Sequence, residues 1–170
     1  ELGAAIADPA SGKELALLSP FKDQLLPGTL EGYSLPVSDG SEANRANLRK
    51  ATKLLEDAGW SVQDGSLRDA QGQDFAFEIL LQNGADDTIA MASIYVEALK
   101  RLGINAKVTT VDSAQYKERT TNYDFDMTQY ARSLSLSPGN EQMLYWGSAG
   151  GTEPGTRNWA GINSPAAEAM

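Results

Sequence analysis

Six consecutive residues, Arg132, Ser133, Leu134, Ser135, Leu136 and Ser137, bring three hydroxyls and one guanidinium into one short stretch. Tyr130 lies just before them, and Pro138-Gly139-Asn140 closes the segment. Hydroxyls, one cation and main-chain groups not spent in a ladder suit hydrogen bonding to a polar, extended, peptide-like ligand. Asn140 would add a side-chain amide at the start of the following helix. The same residues also suit a plain turn, with the serines satisfying backbone groups and Asn140 acting as a cap.

Other residue pairs offer different chemistry. Asp124 and Asp126 are two apart and would share one face of a strand. Paired carboxylates there could hold a cation or exchange protons, or form a solvated face with Phe125 and Met127 turned inward. Asp86-Asp87 reads as a helix start, where negative charge is favoured. Asp64, Gly65 and Asp69 share parts of a calcium-binding loop, but the regular spacing to a glutamate is missing. Trp146, Trp159 and Tyr145 could line a pocket near the serine-rich segment, or seal a core; the core reading is favoured for Trp60 and Trp146. The chain has no cysteine and no histidine. That excludes thiol nucleophiles, disulfides, Cys/His zinc sites and imidazole bases. No GxSxG, GxGxxG or phosphate-binding loop occurs. An enzyme is not expected, although a hydrolase domain built on carboxylates stays open.

The bulk properties frame these sites. The chain has 170 residues, 41% of them hydrophobic and 22% charged, the composition of a globular domain. Its net charge is −9, which argues against nucleic acid and anionic lipid as partners. No apolar run is long enough to span a bilayer, and ELGAAIADPASGKE has no basic region followed by an apolar core. The absence of cysteine fits the cytoplasm or the bacterial periplasm equally.

The elements that must position these residues follow from periodicity. Residues 1–43, broken by Pro20, Pro27, Gly28, Pro36 and Gly40, read as an extended wrapping segment with a helical patch at Lys13 to Leu18. Leu48, Ala51, Leu54, Leu55 and Ala58 recur at helical spacing, giving a helix from Asn44 to Ala58, capped by Ser41 or Asn44 and ended by Gly59. Asp64-Gly65 and Gln71-Gly72 bracket a hairpin turn. Phe75, Phe77, Ile79 and Leu81 alternate as a strand closed by Asn83-Gly84. A helix from Thr88 to Leu102 follows, with Met91, Tyr95, Ala98 and Leu102 on one face, ended by Gly103. Ile104, Ala106, Val108 and Thr110 make a second strand, and Asp112 caps a helix from Ala114 to Thr121. A third strand runs from Asp124 to about Ala131. This β-α-β-α-β order implies a parallel α/β sheet with right-handed crossovers. Ligands in such sheets sit beyond the carboxyl ends of the strands, where the third strand would deliver Arg132 to Ser137. The remainder reads as a helix from Gly139 to Trp146, a glycine-rich loop, an extended Arg157 to Ile162, and a helix opening at Ser164-Pro165. Because that helix has only begun at Met170, the chain is expected to be a fragment of something larger.

Three ordered pieces carry a family resemblance: NLRKATKLLEDAGW (Asn47 to Trp60), FEILLQ, and ALKRLGINAKVTTVDSAQYKERTTNYDFDM (Ala98 to Met127). Together with the closing RNWAGINSPAAEAM, they resemble the C-terminal lobe of bacterial extracellular solute-binding proteins of family 5. ELALLSPFKDQLLPGT and SLSPGNEQMLYWGS resemble the branch associated with oligopeptide and microcin uptake. The resemblance implies a periplasmic-binding-protein-like lobe, with 1–43 as its wrapping segment and 44–170 as its α/β ligand-binding part. It implies an importer receptor in the Gram-negative periplasm that closes on a peptide and hands it to an ABC permease in the inner membrane. The N-terminal lobe would be missing, and no cofactor or nucleic acid is implied. The cleft edge would be Tyr130 to Ser137, giving Tyr130, Arg132, Ser133, Leu134, Ser135, Ser137 and Asn140 as candidate ligand-binding residues. Many relatives carry a Trp and an amine-binding Asp seven and four positions before the proline; here Ala131 and Leu134 stand in those places. A non-peptide solute such as a metal chelate, haem or a sugar is the alternative cargo, with direct metal ligation disfavoured by the lack of histidine.

Overall fold

The computed structural model describes residues 8–33, 36–41, 43–131, 137, 139–151 and 153–168. In chain order its elements are α1 (Gly12–Leu18), α2 (Arg45–Asp57), β1 (Ser61–Gln63), β2 (Ser66–Arg68), β3 (Ala76–Gln82), α3 (Asp86–Lys100), β4 (Asn105–Val111), α4 (Ser113–Thr121), β5 (Met127–Thr128), α5 (Glu141–Trp146) and α6 (Pro165–Glu168). They fall into two compact units, one of Ser38–Ser133 and one that joins Glu1–Val37 to Leu134–Met170.

The first unit is the α/β one. Its sheet has the order β4-β3-β5, and both pairings are parallel. Ile79 sits opposite Val108 and Met127, and Leu80 opposite Thr109 and Thr128. Alternation along β3 sends Phe77, Ile79 and Leu81 into a core with Val96 and Leu99 of α3, Ile104, Ala106 and Leu67. Leu80 points the other way and is 0% exposed, on the face where Arg119 of α4 pairs with Glu78. The middle of the central strand is therefore buried on both faces, as in a parallel strand covered by helices on both sides.

Helix ends explain much of the geometry. Both α2 and α3 close in the Schellman pattern, with Trp60 N donating to Leu55 O (2.9 Å) and Ile104 N to Leu99 O (3.2 Å). Gly59 and Gly103 take the left-handed conformation that this pattern needs, at φ 90° and 79°. Gly103 also abuts the β1–β2 hairpin, because Leu67 N donates to its carbonyl at 2.8 Å. The hairpin turns through Asp64 and Gly65 at φ 51° and 86°, the mirror-image turn that matches strand twist. Asp112 caps α4, accepting from Ala114 N (2.8 Å) and Gln115 N (2.9 Å). At α2, Asn44 takes φ 37° without a side-chain cap bond, and Ser41 Oγ accepts from Asn44 N at 3.0 Å.

Two expectations are corrected here. On α3, the stripe read as one face is exposed at Met91 (61%) and Tyr95, and only Leu102 of it, just past the helix end, packs against the core; within the helix the core takes Ile89, Ala92, Val96 and Leu99. Both stripes are apolar at helical spacing, so composition could not choose between them. The third strand pairs only over Met127–Thr128, and Met127 is exposed. Side chains replace its ladder: Asp126 Oδ2 accepts from Glu78 N at 2.9 Å, and Thr128 Oγ1 donates to Leu80 O at 2.7 Å. Asp69 Oδ1 accepts from Gln71 N and Gln73 N at 2.9 and 2.8 Å and fastens a turn.

The second unit holds α1, a 3-10 turn at Ser19–Gln24, α5 and α6. Its centre is Asn158, 1% exposed, whose amide donates to Gly147 O (3.1 Å) and Ile162 O (2.8 Å) and accepts from Ile162 N (2.9 Å). Arg157 to Ile162 is thus a turn wrapped on Asn158, with Gly161 at φ 62°, and not the extended segment expected. Trp146 is 40% exposed, so it is not the core residue expected; its ring nitrogen donates to Gln142 at 2.9 Å.

Candidate functional site

The strand order decides where a site can form. From β3 the chain steps to β4 on one side, then crosses back to place β5 on the other. Neighbouring crossovers that leave a strand in opposite directions open a crevice at its carboxyl end. A cleft of about 320 Å³ lies there, lined by Leu81, Gln82, Asn83, Gly84, Tyr116 and Gln129, with Ala85 completing it.

Each lining group is held by an identifiable local cause. Ala85 N donates to Gln82 O at 3.3 Å, closing a tight turn whose third residue is Gly84 at φ 85°. That conformation favours glycine. Asn83 N donates to Val111 O at 2.8 Å, which ties the turn to the end of β4. From α4, Tyr116 Oη lies 3.0 Å from Thr128 Oγ1 and donates to Gln129 O at 3.1 Å. From α3, Thr88 Oγ1 donates to Gln129 Oε1 at 3.0 Å. The residue after β5 is therefore gripped through its backbone by one helix and through its side chain by another.

The charged groups gather elsewhere. Arg119 pairs with Glu78, and its Nε donates to Asp124 Oδ2 at 2.9 Å. The Arg119 guanidinium beside Glu78 holds that carboxyl below its ordinary range, assisted by Thr109 and Lys107 and opposed by burial. Glu78 is thus an ionised, salt-bridged anion and not a proton donor. Glu78, Lys107 and Asp126 line a second cleft of about 340 Å³ together with Ala76 and Asn105 at the amino ends of β3 and β4. Asp124 and Asp126 serve different partners, Arg119 and the Glu78 backbone, so they do not act as the pair that their spacing suggested. Among the described residues, no group of three acidic, histidine or cysteine side chains could hold a metal. No described helix is long and apolar enough to cross a membrane.

Of the residues singled out from the sequence, Tyr130 is 43% exposed and directly follows Gln129 in the chain. Ser137 and Asn140 are exposed and belong to the other unit, where Asn140 precedes α5 without a side-chain cap bond. Arg132, Ser133, Leu134 and Ser135 lie outside the described residues. Sequence reasoning missed Gln82, Asn83, Tyr116 and Gln129. The available signal was Asn83-Gly84 at the end of an alternating apolar strand, a carboxyl end as good as the one chosen.

Comparison with known proteins agrees with this architecture. Residues 22–154 match the family model described as bacterial extracellular solute-binding proteins, family 5 Middle. A protein of Agrobacterium fabrum described as a probable peptide-binding protein, YejA, is 40% identical over 163 residues, 94% of this chain and 26% of its own length. The peptidoglycan-binding protein YepA of the same organism is 37% identical over 170 residues, 98% of this chain and 27% of its own length. The chain thus spans about a quarter of the length of these relatives. Among solved structures, the oligopeptide-binding protein AppA of Bacillus subtilis, in complex with a nonapeptide, superposes with a TM-score of 0.60 at 24% identity, over 89% of this chain and 31% of that one. The fold is that of periplasmic-binding-protein-like oligopeptide binders. The chain belongs to the bacterial extracellular solute-binding proteins of family 5.

Proposed function

We propose that the chain is part of the substrate-binding component of an ABC importer that takes up peptides or peptide-like solutes. The observation that carries this reading is the polar cleft at the carboxyl ends of β3 and β5, set in a family 5 fold. Cargo would lie against this edge and would be closed over by the remainder of the receptor, and Tyr130, Arg132, Ser133, Leu134, Ser135, Ser137 and Asn140 are kept as candidate contacts. Delivery to a permease in the inner membrane, and hence a periplasmic location, follow from the same reading. Microcin-type peptides fall within this cargo class. The carboxylates nearest the sheet, Glu78, Asp124 and Asp126, are engaged by Arg119 and the Glu78 backbone, which supports a binder over a carboxylate hydrolase.

One relative's description favours a second reading, in which the cargo is the peptide portion of a cell-wall fragment. A single experiment separates these cases. The intact receptor, purified from its native host, is denatured and its released ligand identified by mass spectrometry, and the identified class is then titrated by calorimetry. A linear peptide with micromolar or tighter binding supports the first reading, and a muropeptide the second. A metal chelate, haem or a sugar in its place sinks both.

A further inference from the structure

Resting on that reading, we infer that the cleft between the carboxyl ends of β3 and β5 is a subsite for an uncharged amide of the cargo, a peptide bond or carboxamide, and not for either charged terminus. None of its lining residues carries a charge. The hydrogen-bonding inventory is specific. The side-chain amides of Gln82 and Asn83 are exposed, and neither is spent on another described residue. Each offers a donor and an acceptor at fixed spacing, the complement of a peptide group. Gln129 spends its Oε1 on Thr88 and keeps its Nε2 donors. The Thr128 hydroxyl proton goes to Leu80 O, so the single Tyr116 proton is shared between Gln129 O and Thr128 Oγ1. The Tyr116 oxygen is left as an acceptor toward the cleft. At Gly84 nothing lies within 4 Å of where a Cβ would be, so the backbone is open to a ligand.

The electrostatics select against a carboxylate. The N-terminus of α3 follows the cleft turn directly, and its positive field would ordinarily draw an anion. Asp86 and Asp87 already occupy its first turn. Once the receptor shuts over it, a carboxylate held here would be desolvated with no counter-charge among the lining residues, and so would an ammonium. An apolar side chain would leave the amides unpaired. A neutral group that both donates and accepts is the remaining match.

The test uses the intact receptor and three small probes. Side-chain NH₂ resonances of Gln82, Asn83 and Gln129 are followed by NMR while N-acetylalanine methylamide, sodium acetate or methylammonium chloride is added at constant ionic strength. The neutral diamide is expected to move these resonances saturably, and the two ions are not. Gln129→Glu and Asn83→Asp, which keep size and exchange an amide for a carboxylate, should each weaken the diamide response by about fivefold, the loss of one hydrogen bond. Gln129→Glu still accepts from Thr88, and an unchanged thermal midpoint confirms that the fold survives. Acetate or methylammonium moving the same resonances would overturn the inference, as would a diamide that leaves them still. These readouts do not depend on the calorimetry above, so a receptor that binds peptide but ignores the diamide refutes the subsite alone.

Discussion

Arg119 joins two carboxylates from different parts of the α/β unit. It reaches Glu78 on the central strand and Asp124 ahead of β5, and so ties α4 to the sheet. Glu78 keeps a carboxyl pKa below the unfolded glutamate value of about 4.3. A depressed acid binds fewer protons folded than unfolded, so its contribution is fully present above the unfolded value. It is lost as pH falls through the lower folded value. Arg119→Met should therefore lower the urea midpoint at pH 7 and flatten the acid limb below about pH 4, where wild type loses this contribution. A midpoint difference that stays constant from pH 7 to pH 3 would refute the pairing. In the other unit, Asn158→Ala leaves Gly147 O and the Ile162 backbone without their partner inside a closed site. The expected loss is about 2–4 kcal/mol in urea denaturation. Asn158 was visible in the sequence only as part of a family-like string, because nothing in Arg-Asn-Trp-Ala-Gly states that its amide is the hub of a turn. The cleft residues were hidden for a related reason. Gln82, Asn83 and Gln129 form no motif, and they meet only once β5 is known to lie beside β3.

At the scale of elements, the sequence was legible wherever local chemistry and tertiary packing agree. Asp112, Gly59 and Gly103 mark helix ends because capping and left-handed φ are decided within a few residues. The alternation in Phe75 to Leu81 and Ile104 to Thr110 identified two strands, and their long connections identified parallel pairing. It failed where two solutions were locally equal. The exposed stripe of α3 is as apolar as the buried one, and β5 is too short for its side-chain-mediated pairing to leave a periodic trace. Gly103 and Gly84 separate conformation from packing. Both have φ near 80°, at 79° and 85°. A Cβ at Gly84 meets nothing within 4 Å, whereas one at Gly103 lies 2.8 Å from Leu67 N and 3.3 Å from Gly65 O. Gly84→Ala should cost about 1 kcal/mol, the penalty of a left-handed alanine. Gly103→Ala should cost about 3 kcal/mol, since the hairpin backbone must move as well. Equal losses of urea midpoint for the two variants would show that the helix end does not bear on the hairpin.

For the whole molecule, the decisive quantity on the proposed reading is the share of its relatives' length that this chain spans. It spans about a quarter of the length of its relatives, and the cleft at the carboxyl edge opens to solvent. A receptor that closes on cargo gains affinity from contacts on both sides and from expelling water as it shuts. One side alone keeps only part of the hydrogen bonds and none of the closure. It still bears the full loss of cargo translation and rotation. The isolated chain should therefore bind the cargo of the intact receptor at least about a hundredfold more weakly, a deficit of about 2.7 kcal/mol. Parallel calorimetric titrations of the two proteins with the same ligand measure that ratio directly, once circular dichroism and a cooperative melt establish that the isolated chain is folded. Affinities within tenfold of each other would place the recognition energy in this chain alone, and the two-sided receptor reading would have to be abandoned.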